Sequence, residues 1–181
     1  MKAAIFYTGK FGSTKKYAYW INEHNDFPVF DLRRENPNPD EYNLIILGSS
    51  IIAMKPTIQK WLMKNWPKIK DKQVLLFTVS GTEPGHPNLQ QWLNNSLSKE
   101  MLEHIHYVPL RGRLVLNELP WPMRLFMKIA SKVEKDPDTK KRMAEGFDYM
   151  EKTSIEPIFE WIAKQESEVP ENLCKSQLQF A

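Results

Sequence analysis

Three hydroxyl side chains, Thr8, Ser13 and Thr14, surround Gly9 and Gly12 in the stretch TGKFGST, which follows the apolar run Ala3 to Tyr7. Hydroxyls and backbone amides can enclose the oxygens of a terminal phosphate monoester without a metal ion. The glycines permit close backbone approach. Ser13 or Thr14 is placed to cap a following helix, whose free N–H groups and dipole favour an anion. Lys10 and Phe11 flank this seat. The loop lacks the Gly-Lys-Ser/Thr ending of a nucleoside-triphosphate loop and the GxGxxG of a dinucleotide site, which leaves a single phosphate as the ligand chemistry. An ordinary strand-to-helix turn with a hydroxyl cap has the same composition, so the loop alone leaves both readings open.

Two later stretches strengthen the first. The run Leu44 to Leu47 ends in GSSIIAMKP, and the run Val74 to Val79 ends in SGTEPGHP. Ser49, Ile51, Ile52 and Ala53 could lay apolar side chains beside a flat ring while main-chain groups hydrogen-bond its edge, or Ile51 and Ile52 could simply tuck into the core. Val79, Ser80, Gly81 and Thr82 occupy the equivalent place after the next run. Three apolar strands ending in small, hydroxylated loops are expected of successive βα units, which bind ligands outside the carboxyl ends of their strands.

Other chemistries are poorly represented. His104 and His106 alternate but lack an evident third ligand, and His24 and His86 are isolated, so no metal is expected. GxSxG is absent and Ser49-Ser50 has no evident base, so a serine nucleophile is not expected. The single cysteine, Cys174, permits neither a disulfide framework nor a CxxC motif and points to a reducing, cytoplasmic compartment. Apolar runs fall well short of the ~20 residues needed to cross a bilayer, and the N-terminus lacks a signal-peptide layout.

The elements that must position the loops fit one α/β domain within the 181 residues. Strands are expected at 3–7, 27–32, 44–47, 74–79 and 106–110. Helices are expected at 15–24, 57–66, 88–104 and 154–165, with 33–42 a loop or a short helix and 48–56 a loop. The domain spans 1–165, and 166–181 is expected to be a flexible tail.

An insert of about 111–150 separates the fifth strand from the last helix, far beyond the usual two to six residues. It holds an amphipathic helix in MRLFMKIASKVEK, with Arg124, Lys128 and Lys132 forming a basic ridge beside Leu125, Phe126, Met127, Ile129 and Ala130, and then a second helix ending near Met150. Net charge is +3, unevenly spread: nine basic residues face four acidic ones between Arg111 and Arg142. Without a nucleic-acid-binding motif this argues against nucleic acid. A basic amphipathic helix suits peripheral contact with a membrane or an acidic apolar ligand; packing on the sheet or on a second subunit is the alternative.

With these residues in view, the chain resembles flavodoxin-like domains, whose first loop holds the phosphate of FMN. Gly112-Arg113-Leu114, Met127-Lys128-Ile129, Asp138-Thr139-Lys140-Lys141 and Phe147-Asp148 recur in the order found in the flavodoxin-domain family that includes menaquinone-dependent protoporphyrinogen dehydrogenase. The resemblance covers about residues 1–165. It implies a doubly wound five-stranded parallel sheet of order 2-1-3-4-5, FMN as cofactor and two-electron redox chemistry. Residue by residue, it puts the phosphate at Thr8, Gly12, Ser13 and Thr14, with Lys10 and Phe11 adjacent. The ring falls between Ser49, Ile51, Ile52 and Ala53 on one side and Val79, Ser80, Gly81 and Thr82 on the other. Arg111 and Arg113 would meet substrate carboxylates or make structural ion pairs, and the apolar 119–130 segment would admit a quinone. No residue stands out as an obligatory acid or base. A flavodoxin-type carrier serving a redox partner protein is the competing reading, although pI near 8.8 and the long insert speak for an enzyme. A noncatalytic binding module is the third.

Overall fold

The computed structural model describes residues 1–167. Five parallel strands form its centre: β1 (Ala3–Thr8), β2 (Val29–Asp31), β3 (Leu44–Ile52), β5 (Gln73–Ser80) and β6 (His106–Arg111). The short β4 (Lys55–Pro56) folds back antiparallel on β3. The order is β2-β1-β3-β5-β6, the expected doubly wound arrangement once β4 is set aside.

Near-continuous apolar sequence makes the inner strands, because a parallel sheet is covered on both faces. Ile5, Tyr7, Leu44, Ile46, Leu75 and Phe77 face one core with Tyr17, Ala18 and Ile21 of α1 (Ser13–Asn22) and Ile158 and Ile162 of α7 (Glu156–Ser167). Ala4, Phe6, Ile45, Leu47, Val74 and Leu76 face the other core, with Leu62, Trp66 and Ile69 of α2 (Gln59–Ile69), Leu93 of α3 (Pro87–Asn94) and Met101 of α4 (Lys99–His104). Because the five central strands run parallel, their carboxyl ends lie along one rim.

Several boundaries differ from expectation for local reasons. The 48–56 loop is instead five more residues of β3, a two-residue turn and β4. Ser49 and Ser50 stay in the strand because Thr57 satisfies them: its hydroxyl lies 3.3 Å from Ser49 Oγ and 3.4 Å from Ser50 Oγ. The turn residues Ala53 and Met54 both have positive φ, 49° and 62°, as a tight two-residue hairpin demands. The expected helix 88–104 breaks between α3 and α4, where Ser96 Oγ donates to the Trp92 carbonyl and Ser98 Oγ caps α4 by accepting from Met101 N–H. The last helix begins at Glu156, after a 3₁₀ turn at Lys152–Ile155, and includes Glu166 and Ser167. The remainder of the expected flexible tail lies outside the described residues.

The insert returns to its origin. After β6 the chain forms β7 (Arg113–Leu114), α5 (Trp121–Val133), α6 (Pro137–Glu145) and β8 (Phe147–Asp148), and β7 pairs with β8 antiparallel.

Two features of the frame are open to measurement. A Cβ at Gly48 would lie 2.5 Å from Phe77 Cζ in a fully buried layer. Gly48→Ala should therefore cost roughly 1–3 kcal/mol in urea unfolding, as overpacked core positions do. At the end of β2, the Arg33 guanidinium bonded to Asp31 holds this buried carboxyl below the usual range. A carboxyl whose pKa is lower folded than unfolded contributes stability above its unfolded pKa and loses it as pH falls through the folded one. Asp31→Asn should flatten the acid limb of a stability–pH curve and leave its shape above neutrality unchanged.

Candidate functional site

The rim above β1, β3, β5 and β6 gathers most of the expected residues. Gly12 carries φ +88° and is the N-cap of α1, with open space where its Cβ would be. Neither Ser13 nor Thr14 caps the helix by its side chain. Ser13 Oγ instead reaches the insert, accepting from Arg113 N–H at 3.1 Å and donating to the Arg113 carbonyl at 3.3 Å. Thr14 is 1% exposed, and its Oγ1 is buried without a hydrogen-bond partner. A Cβ on Gly9 would fall 2.7 Å from that oxygen, so only glycine lets the loop close over it. The Thr8 carbonyl accepts from Thr57 Oγ1 at 3.0 Å, which fixes the loop's starting point. Exposed Lys10 lies 6.0 Å from the Phe11 ring.

Two adjoining cavities lie along the rim, and the smaller one reaches this loop. The first, about 140 Å³, is lined by Phe11, Ser13, Thr14, Ile51, Val79 and Gly112 among others. The second, about 820 Å³, lies between the rim and the insert. Ile51, Ala53, Ser80, Gly81 and Thr82 line its rim side, and Met127, Thr139, Arg142 and Phe147 its insert side. Ser80 Oγ accepts from Thr82 N–H at 3.1 Å and so shapes the loop after β5. A polyatomic ligand can thus extend from the Thr14 pocket into a chamber of ordinary ligand size.

Not every expected residue comes together. Ser49 is fully buried, accepts from Ile58 N–H at 3.2 Å, donates to the Ser50 carbonyl and lines neither cavity. Ile52 pairs with Lys55 in the hairpin and also lines neither cavity. The two arginines separate. Arg113 is tied to Glu118 at 2.6 Å, the structural ion pair considered above. Arg111 lines the large chamber with its guanidinium 3.7 Å from the Tyr149 ring centroid, and its buried Nε has no partner. The Arg111 carbonyl accepts from Tyr17 Oη at 2.7 Å, and burial raises the Tyr17 pKa, which keeps the phenol a neutral donor.

Phe147 is the main residue that sequence reasoning left without a role. A Cβ on Gly81 would meet its Cζ at 2.7 Å, and its ring stacks on Tyr149 at 5.1 Å and 19°. The rim loops 51–53 and 80–82 contain no aromatic side chain, so the insert supplies one. Only the register of β7 and β8, where Leu114 faces Phe147, brings it there. Gly112, which the sequence offers only within the Gly112-Arg113-Leu114 motif, has a steric role: its Cβ would stand 2.8 Å from Val79 Cγ1, so β6 can turn into β7 only without a side chain.

A doubly wound sheet with a hydroxyl-lined loop after its first strand and a chamber over its third and fifth defines a flavodoxin-like α/β protein. Residues 4–141 match the flavodoxin domain family, and the chain belongs to it. Among solved structures it is similar to a WrbA-like flavodoxin from Agrobacterium tumefaciens, at 19% identity over 68% of this chain and 90% of that one, with a TM-score of 0.45. It is also similar to a flavoprotein from Lactobacillus acidophilus in complex with FMN, at 18% identity over 61% and 91% of the respective chains, TM-score 0.41. A third is the Trp repressor binding protein of Bacillus subtilis, at 16% identity over 79% and 95%, TM-score 0.43. No curated protein matches the sequence.

The link between Ser13 and Arg113 joins the first loop to the insert. Ser13→Ala removes it and leaves the part-buried Arg113 N–H without this partner, which should lower unfolding free energy by roughly 1 kcal/mol. Hydrogen exchange at the Arg113 amide should accelerate in the variant.

Proposed function

We propose that this chain binds FMN along the rim and acts as an FMN-dependent oxidoreductase of the protoporphyrinogen-dehydrogenase-like group, with a quinone as electron acceptor. The observation that carries the cofactor reading is the orphaned Thr14 hydroxyl. A buried hydroxyl without a partner costs free energy unless something supplies one, and a phosphate oxygen would do so in a loop that also presents the N-terminus of α1. Membership of the flavodoxin domain family supports the same ligand.

The residues present fit the rest of the cofactor. Thr14 and the amides after Gly12 would hold the phosphate, and the narrow cavity past Ser13, Val79 and Gly112 would take the connecting chain. Ile51, Ala53, Ser80, Gly81 and Thr82 would border the ring, with Phe147 as its aromatic neighbour. When bound, FMN supplies the electron chemistry. The protein's share is to bind, orient and enclose. Main-chain groups at 80–82 would meet the ring edge, and the α5–α6 side of the chamber would cover part of it. Arg111 adds a cation that forms no ion pair with any described residue and would draw an anionic group of the substrate into place, held by the Tyr149 ring.

The insert beside the chamber favours an enzyme over a carrier. A carrier leaves its flavin edge open to a partner protein, whereas here Met127, Thr139 and Phe147 wall the chamber where a small substrate would enter. Titration of flavin-free protein with FMN, followed by absorbance, tests the reading: stoichiometric uptake is expected, and uptake of neither FMN nor riboflavin would refute it. Thr14→Val should weaken FMN binding about tenfold while leaving riboflavin affinity unchanged, since one charge-assisted hydrogen bond to phosphate is worth ~1.5 kcal/mol.

A further inference from the structure

Helix α5 turns its apolar side outward. Trp121 is 74% exposed, Leu125 50%, Phe126 62%, Ile129 56% and Val133 74%, and only Ser131 of the helix is buried. Trp121, Leu125, Ile129 and Val133 recur every fourth residue and so form one continuous ridge, with Phe126 beside it. Packing of this ridge on the sheet, one of the readings open from sequence, is therefore set aside.

The basic ridge is narrower than the sequence suggests. Arg124 is turned inward, donating to the carbonyls of Asn117 and Leu119 at 3.2 Å each, where it braces the turn before the helix. Lys128 and Lys132 remain exposed at the border of the apolar ridge and make no ion pair with any described residue. From Trp121 to Val133 the helix has no acidic residue.

We propose that α5 lies flat on an anionic lipid bilayer, its Trp121–Val133 ridge among the acyl chains and Lys128 and Lys132 on the headgroups. Charge selects this occupant. A second copy of the helix would bring lysines against lysines with no carboxylate on either helix to meet them, whereas anionic headgroups neutralise both amines. The helix is short for a span: 13 residues reach about 20 Å, against the ~30 Å hydrocarbon core. Among the described residues no helix is long and apolar enough to cross a membrane, so contact in the plane of the interface is the geometry left to α5. An aromatic residue at one end of the ridge, Trp121, suits the headgroup boundary. The same helix supplies Met127 to the large chamber, so docking would put the chamber next to the lipid surface.

Co-sedimentation of the full chain with phosphatidylcholine vesicles, with and without phosphatidylglycerol, tests this. Binding is expected with the anionic vesicles, weakening as salt rises, and little binding with the neutral ones. Lys128→Glu with Lys132→Glu should lower the partition coefficient roughly tenfold or more, as should Phe126→Ser with Ile129→Ser. Light scattering and circular dichroism check that each variant remains folded and monodisperse. Wild-type recovery from both vesicle types equal to that without lipid would overturn the proposal. So would a dimer that the Phe126→Ser, Ile129→Ser variant converts to monomer, which would assign the face to a second copy.

Discussion

Strands β1, β3 and β5 are covered by helices on both faces, so the middle of each strand has apolar neighbours above and below. A polar ligand can be met only where the strands end and main-chain groups become free. The sheet therefore confines chemistry to one rim, and the rim's glycines decide how closely its parts approach. At Gly81 the neighbour is Phe147, and at Gly112 it is Val79. Each stands where a methyl group would collide with a ring or a branched side chain. The loops and the insert converge on the same volume because these positions are bare.

The parts of the rim also depend on hydrogen bonds made far along the chain. Thr57 binds the end of β1 through the Thr8 carbonyl while satisfying the serines of β3. Ser13 binds the start of the insert. Polar residues that look like ligand groups in the sequence are thus divided between two tasks. Ser49 and Ser13 hold the scaffold, whereas the Thr14 hydroxyl is fully buried and left with no partner.

This division explains what was legible beforehand. The all-apolar runs announced the inner strands, and the small residues after them announced the rim, because both follow from local composition. The family resemblance carried the strand order. The hidden part lay in pairings between distant residues. Nothing near Ser49 foretells that Thr57 and the Ile58 amide will claim its oxygen. Arg111 and Arg113 are two positions apart and would share a face of one continuous strand, yet Arg111 meets the Tyr149 ring and Arg113 meets Glu118, a difference set by the turn at Gly112 between β6 and β7 and by the return of the insert. The break between α3 and α4 was missed because apolar spacing continues through it, while Ser96 and Ser98 end one helix and start another.

The pairing of β7 with β8 has a consequence for how such a protein can change over time. Because the insert leaves and re-enters at adjacent strands, the distance between its two ends is fixed whatever lies between them. Helices can be lengthened, exchanged or lost inside that clasp without re-threading the sheet. Arg111, Phe147 and Tyr149 stand at its base, outside α5 and α6. Descendants of one ancestral rim could thus acquire different substrates or surroundings by altering only the excursion beyond the clasp.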